Sequence, residues 1–239
     1  MSVKKTEKKN VNPNKKYYIA IAIMSACILA LIVVMVWPYI TPPYIDYSSQ
    51  SQSEADTSKK EELPPITDEN FLDVIDRSDA KKVEFTMTDG QKFVMEVYPK
   101  VAPITVENFL SLVDEGFYDG LTFHRIIDGF MAQGGAFDPI DQSNDPAAKI
   151  KGEFSSNGVE NNLSHRRGVV SMARTNIPDS ASSQFFICYG DASYLDGDYA
   201  AFGYVTEGME TVDSFLSAGT DANDAPLKEV KIEKAIRIN

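Results

Sequence analysis

Between Tyr17 and Ile40 the chain runs for 24 residues without a charged side chain, and no other stretch of its 239 residues constrains it as much. About 20 apolar residues suffice to cross a bilayer core as a helix. Tyr17 and Tyr18 mark one end of the run and Trp37 and Tyr39 the other, where amphipathic rings favour the headgroup level. Six lysines (Lys4, Lys5, Lys8, Lys9, Lys15 and Lys16) precede it against Glu7 alone, a bias that holds this end in the cytoplasm. The expectation is a basic cytoplasmic tail over 1–16 and a single-pass transmembrane anchor over 17–40, with the rest of the chain outside the cell membrane. A cleaved signal peptide has a shorter apolar run and an Ala-x-Ala-like site, and neither is present. Met24-Ser25-Ala26-Cys27 resembles a lipoprotein processing site, but ten more apolar residues follow Cys27. The uncleaved anchor is therefore the reading adopted.

Residues 41–67 are rich in Ser, Pro, Gln and charge and show no apolar period. Such a segment buries too little surface to offset its ordering entropy, which makes it a flexible tether. From residue 68 onward there are 29 acidic and 15 basic side chains. That acidic balance argues against nucleic-acid binding, which needs a basic footprint. Two cysteines, Cys27 and Cys188, and two histidines cannot build a disulfide scaffold or a zinc ribbon. The basic start, single anchor and lack of disulfides fit a bacterial surface protein.

The segment 68–239 is long enough to bury a full core. A short helix is expected from Thr67, with Phe71, Leu72 and Ile75 on one face. VEFTMT and QKFVMEVY flank Asp89-Gly90, the pattern of a β-hairpin. Pro103 opens a helix in which Val106, Phe109, Leu110 and Val113 share a face, ending at Gly116. LTFHRII, GVVSMA, SQFFICY and AAFGYV read as short strands, and a second helix spans about 209–218. Val230, Ile232, Lys234, Ile236 and Ile238 alternate as one face of a last strand. Many short strands and two substantial helices suggest a closed antiparallel barrel, because closure removes exposed strand edges.

The segments FHRIIDGFMAQGG (123–135), SMART (171–175), SSQFFICYG (182–190), YLDGDYAAFGYVTEGMETVD (194–213) and APITVENFL (102–110) go further. Together, and in their order along the chain, these segments resemble the cyclophilin family of peptidyl-prolyl cis/trans isomerases. The resemblance implies a mainly β fold, a closed eight-stranded antiparallel barrel capped by two helices, with a proline-binding groove on its outer face. It places the catalytic arginine on Arg125, with Gln133 beside it as the partner that orients the guanidinium. It places the proline pocket on Phe130, Met131, Phe186 and Leu195, a backbone contact to peptide on Ala173, and the groove edge on Gln184. Tyr199 stands where many members have histidine, Asp128 where proline is usual, and Arg174 where asparagine is common. Tyr194 occupies the position of the tryptophan in cyclosporin-sensitive members, so cyclosporin binding is expected to be weak.

The residue types suit the chemistry. Twisting an X–Pro bond breaks its amide resonance and localises a lone pair on the prolyl nitrogen, and a donor aimed there is stronger in the twisted state than in the planar one. Arginine never deprotonates and offers several donors. Strand alternation puts Phe123, Arg125 and Ile127 on one face and His124 and Ile126 on the other, separating Arg125 from His124. His124 and His165 are read as hydrogen-bonded structural residues and Cys188 as an inert buried thiol. No metal, cofactor or nucleophile is required. The expected partners are unfolded or newly exported chains containing X–Pro bonds. Two other readings are a membrane-tethered proline-peptide binding or holdase module with incidental isomerase activity, and a barrel that receives a small ligand.

Overall fold

The computed structural model describes residues 70–138 and 146–239. The expected tail (1–16), anchor (17–40) and linker (41–67) lie outside the described residues, and among those described no helix is long and apolar enough to cross a membrane. Residues 70–75 form turns instead of the expected helix. Phe71 is nonetheless buried, packing with Tyr98, Val101 and Leu163.

Eight strands are described: β1 (Lys81–Met87), β2 (Lys92–Val97), β3 (Phe123–Ile127), β4 (Met131–Gly134), β5 (Val169–Met172), β6 (Phe185–Cys188), β7 (Ala201–Glu207) and β8 (Ile232–Ile238). They make one sheet in the order β3-β4-β6-β5-β7-β2-β1-β8, with every neighbouring pair antiparallel. β4, which is not among the strands expected from the sequence pattern, lies between β3 and β6. The expected hairpin is present as β1–β2. Its loop is longer than a two-residue turn, with Gly90 at φ 84° and the Gln91 N–H donating to the Asp89 carboxylate at 3.0 Å.

The sheet curls until its outer strands face each other, but β3 and β8 do not share a ladder. The first residue of β3 and the two before it hold the seam: Phe123 N–H donates to the Val230 carbonyl and Ile232 N–H to the Leu121 carbonyl, each at 2.9 Å, and Thr122 bridges Lys231. The architecture is a mainly β, curled eight-stranded antiparallel sheet with two helices.

Helix α1 (Pro103–Asp114) buries Val106, Phe109, Leu110 and Val113, as its spacing predicts. Beyond its C-terminus, Gly116 takes φ 69° while Phe117 N–H reaches the Leu112 carbonyl at 2.9 Å, a helix stop that needs a left-handed residue. The second helix is shorter than expected, α2 (Met209–Ser214) tightening into a 3₁₀ turn over Phe215–Ala218. Aromatic rings fill the interior. Phe109 of α1 lies 5.1 Å from Phe202, 5.4 Å from Tyr118 and 5.7 Å from Phe185, centroid to centroid. Phe85 stacks on Phe93 at 5.0 Å, and Phe123 meets Phe215 at 4.8 Å. This packing leaves the small-ligand barrel reading without support.

The last strand departs from its expected alternation. Ile232 pairs with Met87 but Lys234 pairs with Thr86, so Glu233 is an extra residue that reverses the faces. Ala235 then points inward and Ile236 is 39% exposed.

Helix α1 has no side-chain cap at Ala102. Its open N–H groups are met by buried Glu153, whose Oε1 accepts from Ile104 N–H at 3.0 Å and Oε2 from Thr105 N–H at 2.7 Å. A carboxylate at a helix N-terminus also faces the positive end of the dipole. Glu153→Ala is expected to lower unfolding stability by about 3 kcal/mol, because one buried and one half-buried donor lose a charged acceptor. Glu153→Gln, which keeps one acceptor, is expected to cost less. Urea denaturation checks this, and a change under about 1 kcal/mol in the alanine variant would contradict it.

Candidate active site

On the outer face of the sheet, away from the main core, Met131 of β4 and Phe186 and Cys188 of β6 are buried together with Ala192. Period-two alternation explains the split, since Ala132 and Ile187 between them point into the core. Ile127, Phe130, Ala173, Leu195 and Tyr199 complete this second apolar group. Phe130, Met131, Ala173, Phe186, Leu195 and Tyr199 line a pocket of about 180 Å³ together with Arg125, Gln133 and Arg174. Eight of the nine site residues expected from the sequence therefore converge. The ninth, Gln184, is at the edge, where its carbonyl accepts from Ala173 N–H at 2.9 Å. Tyr199 meets Phe186 edge-on at 6.0 Å. Tyr194 is 68% exposed at the rim, its ring 5.9 Å from that of Phe130.

The expected alternation in β3 fails, with a consequence for the site. Phe123 pairs with Gly134 and Arg125 with Gln133, leaving His124 as a bulged residue. Phe123 and Ile126 both enter the core, while Arg125 turns to the pocket. A bulge beside a site re-aims a side chain in just this way. It also overturns the separation of Arg125 from His124, since both line a wider groove of about 810 Å³ that adjoins the pocket. Burial, assisted by the nearby Arg125 charge, pushes His124 below its ordinary value, so it is neutral at neutral pH.

Gln133 does not orient the guanidinium as expected. It donates through Nε2 to Gln184 Oε1 at 2.9 Å. Arg125 is held instead by Asp224, whose Oδ2 accepts from Nε at 3.3 Å and Nη2 at 3.1 Å. Sequence reasoning missed Asp224. Among the described residues it is the one non-glycine with positive φ, at 63°, a conformation Asp tolerates better than most. Its carbonyl accepts from Ile126 N–H at 2.9 Å, pinning the 221–225 turn to β3. The remaining signal was an Asn-Asp pair ahead of Ala-Pro, which marks a turn but not its partner.

Beneath the pocket lies a polar network. His165 Nδ1 is 2.7 Å from Asp196 Oδ1 and Nε2 is 2.9 Å from Ser171 Oγ, while Ser164 donates to Asp196 Oδ2 at 2.6 Å. These contacts match a Ser-His-Asp hydrolase in type and length. However, His165 and Ser171 are fully buried, and Phe186 stacks over the imidazole at 6.0 Å. No substrate atom can reach Ser171, so the network supports the pocket floor and is not a nucleophilic centre. Nor is Cys188 a nucleophile, because burial pushes its thiol up to about 12.

Burial tends to raise the Asp196 carboxyl, but hydrogen bonds from the His165 and Ser164 side chains and the His165 N–H outweigh it and hold the group below its ordinary 3.8. The folded chain thus binds this proton less tightly than the unfolded chain. The resulting stability is complete above pH 3.8 and is lost as pH falls through the lower folded value. Asp196→Asn is expected to be less stable at neutral pH and to show a shallower loss of stability below about pH 4, measured by denaturant melts across pH. An unchanged acid slope would contradict this account.

Comparisons with known proteins agree with this geometry. The sequence profile of the family "Cyclophilin type peptidyl-prolyl cis-trans isomerase/CLD" matches residues 82–237. A peptidyl-prolyl cis-trans isomerase of Acinetobacter baylyi is 42% identical over 147 residues, 58% of this chain and 76% of the relative. Peptidyl-prolyl cis-trans isomerase B of Bacillus subtilis is 40% identical over 149 residues, 62% of this chain and 96% of its own length. Among solved structures, a Cryptosporidium parvum cyclophilin type peptidyl-prolyl cis-trans isomerase superposes with a TM-score of 0.59 at 28% identity. That match covers 67% of this chain and 98% of the other. A second structure of that protein, obtained in the presence of the dipeptide Ala-Pro, superposes with a TM-score of 0.58. With the profile spanning more than half its length, this chain belongs to the cyclophilin-type peptidyl-prolyl cis-trans isomerases.

Proposed function

We propose that this isomerase accelerates cis–trans exchange of X–Pro bonds in exported chains at the outer face of a membrane, with Arg125 as the donor to the prolyl nitrogen. The observation that carries the catalytic part is the placement of the Arg125 guanidinium in the wall of the same pocket as Phe130, Met131, Phe186 and Leu195. Those four side chains clamp the proline ring, an occupant suggested by the Ala-Pro dipeptide present with the similar structure. With the ring held, the segment before it rotates. Asp224 takes Nε and Nη2 of the guanidinium, so Nη1 is the donor assigned to the prolyl nitrogen. One such preorganised donor is worth roughly 3–4 kcal/mol, by analogy with oxyanion-hole donors. Ala173 contacts the peptide backbone, and Gln133 and Gln184, bonded to each other, border its path.

The location rests on the uncharged run Tyr17–Ile40 behind six lysines. The 27 residues of 41–67 would give the domain a reach of about 30 Å if flexible. That is enough to meet chains as they emerge and before they fold.

The test is exchange of an X–Pro peptide, followed by NMR with full-length protein in detergent. Arg125→Ala is expected to lose at least about tenfold in kcat/KM, the low end for a lost preorganised donor, while peptide affinity largely persists. Binding by the wild type without acceleration would leave a proline-peptide binding module in place of the enzyme. Asp224→Gly removes the carboxylate while relieving the positive φ, so it is expected to cost several-fold in kcat with stability unchanged or higher. Full activity in that variant would remove Asp224 from the mechanism. Tyr194→Trp is expected to raise cyclosporin affinity, measured by inhibition of the same exchange, and no gain would exclude Tyr194 as the cause of weak binding.

A further inference from the structure

Arg125 and Arg174 are the two cations shared by the proline pocket and the wider groove beside it, and they are held in different ways. The charge on Arg125 is met by the Asp224 carboxylate at 3.1 Å. Arg174 spends its hydrogen bonds on backbone carbonyls, Nε on that of Asp198 at 2.8 Å and Nη1 on that of Thr175 at 2.9 Å. Its guanidinium carbon lies 4.5 Å from the Tyr199 ring centroid and 5.0 Å from that of Phe154. Carbonyl oxygens and ring faces fix the position of a cation without supplying a formal negative charge. The half-buried guanidinium is therefore held in place and charged, and no carboxylate among the described residues pairs with it. It lines both the proline pocket and the groove, whose other described lining includes neutral His124 and Glu229, whose carboxylate lies 3.9 Å from Lys231.

Resting on the isomerase reading above, we infer that Arg174 is a specificity-determining residue. It selects proline-containing segments with an acidic side chain one or two residues from the proline, on the side that enters the wider groove. An Asp or Glu there presents its carboxylate to the guanidinium, and a Lys or Arg at the same place meets like charge. Bidentate pairing of arginine with a carboxylate provides the geometric preference. The gain is that of a half-exposed ion pair, a factor of about two to five.

The test uses full-length protein in detergent and peptides that differ only in carrying Glu, Gln or Lys at each of the two positions on either side of one proline. Exchange NMR gives kcat/KM for each. The expected result is a Glu-to-Gln ratio of about two to five at one position, with Lys below Gln. This ratio should fall to about one in Arg174→Met and stay partly above one in Arg174→Lys. It should also shrink in wild type at about 1 M salt, where the screening length is about 3 Å. Because the readout is a ratio within each protein, general loss of activity from disturbed packing cancels. A wild-type ratio near one at all four positions overturns the inference, as does a ratio that survives in Arg174→Met or is indifferent to salt. If the Gln peptide is accelerated while the ratios are flat, only the role of Arg174 fails. If no peptide is accelerated, the isomerase reading fails with it.

Discussion

Close packing of aromatic rings inside the curled sheet decides where anything else can happen. Phe85, Phe93, Phe109, Tyr118, Phe123, Phe185 and Phe202 are all fully buried, and protein interiors at crystal-like density have no room for a ligand. Substrate must therefore be met on the outside of the sheet. There, β4 and β6 turn every second residue away from the core and so build an apolar floor. The ring of Phe109 reaches the interior because α1 lies over the sheet. The first turn of α1 is tied to the distant Glu153 carboxylate, so core and helix placement are one constraint.

Much of this was legible in the sequence because it rests on local pattern. Pro103 and Gly116 bracket a helix whose apolar spacing is regular, and Asp89-Gly90 separates two runs of strand-forming residues. The pocket residues were legible through long motifs shared with a family. What was not legible depends on single extra residues in strands. The bulge at His124 moves Phe123 into the core and aims Arg125 outward, and the one at Glu233 exposes Ile236. A strand's period is two, so one inserted residue reverses every later assignment, and nothing in the residue types of His124 or Glu233 announces it.

The holding of Arg125 was misread for a different reason. The family resemblance puts Gln133 beside Arg125, and the sheet register does set the two directly opposite. Charge decided otherwise, since a carboxylate is a stronger acceptor for a guanidinium than an amide. The carboxylate arrives from a turn that adopts an uncommon backbone angle to deliver it. Strained conformations gather at functional sites where the surroundings over-determine them, and here the carbonyl of Asp224 is itself tied to β3. The His165 network teaches the converse. Residue types and distances fit for nucleophilic chemistry do nothing of the kind when no substrate can approach.

Asp224 is 99 residues beyond Arg125, and the strand that follows it, β8, pairs with β1, the first strand of the sheet. During synthesis the pocket floor and the arginine emerge from the ribosome long before the residue that steadies them. A chain stalled or clipped ahead of Asp224 would carry every apolar residue of the pocket yet lack the brace on its donor. Competence thus arrives last and all at once, when the two ends of the domain find each other. Only a finished copy carries both the pocket residues and the brace on their donor.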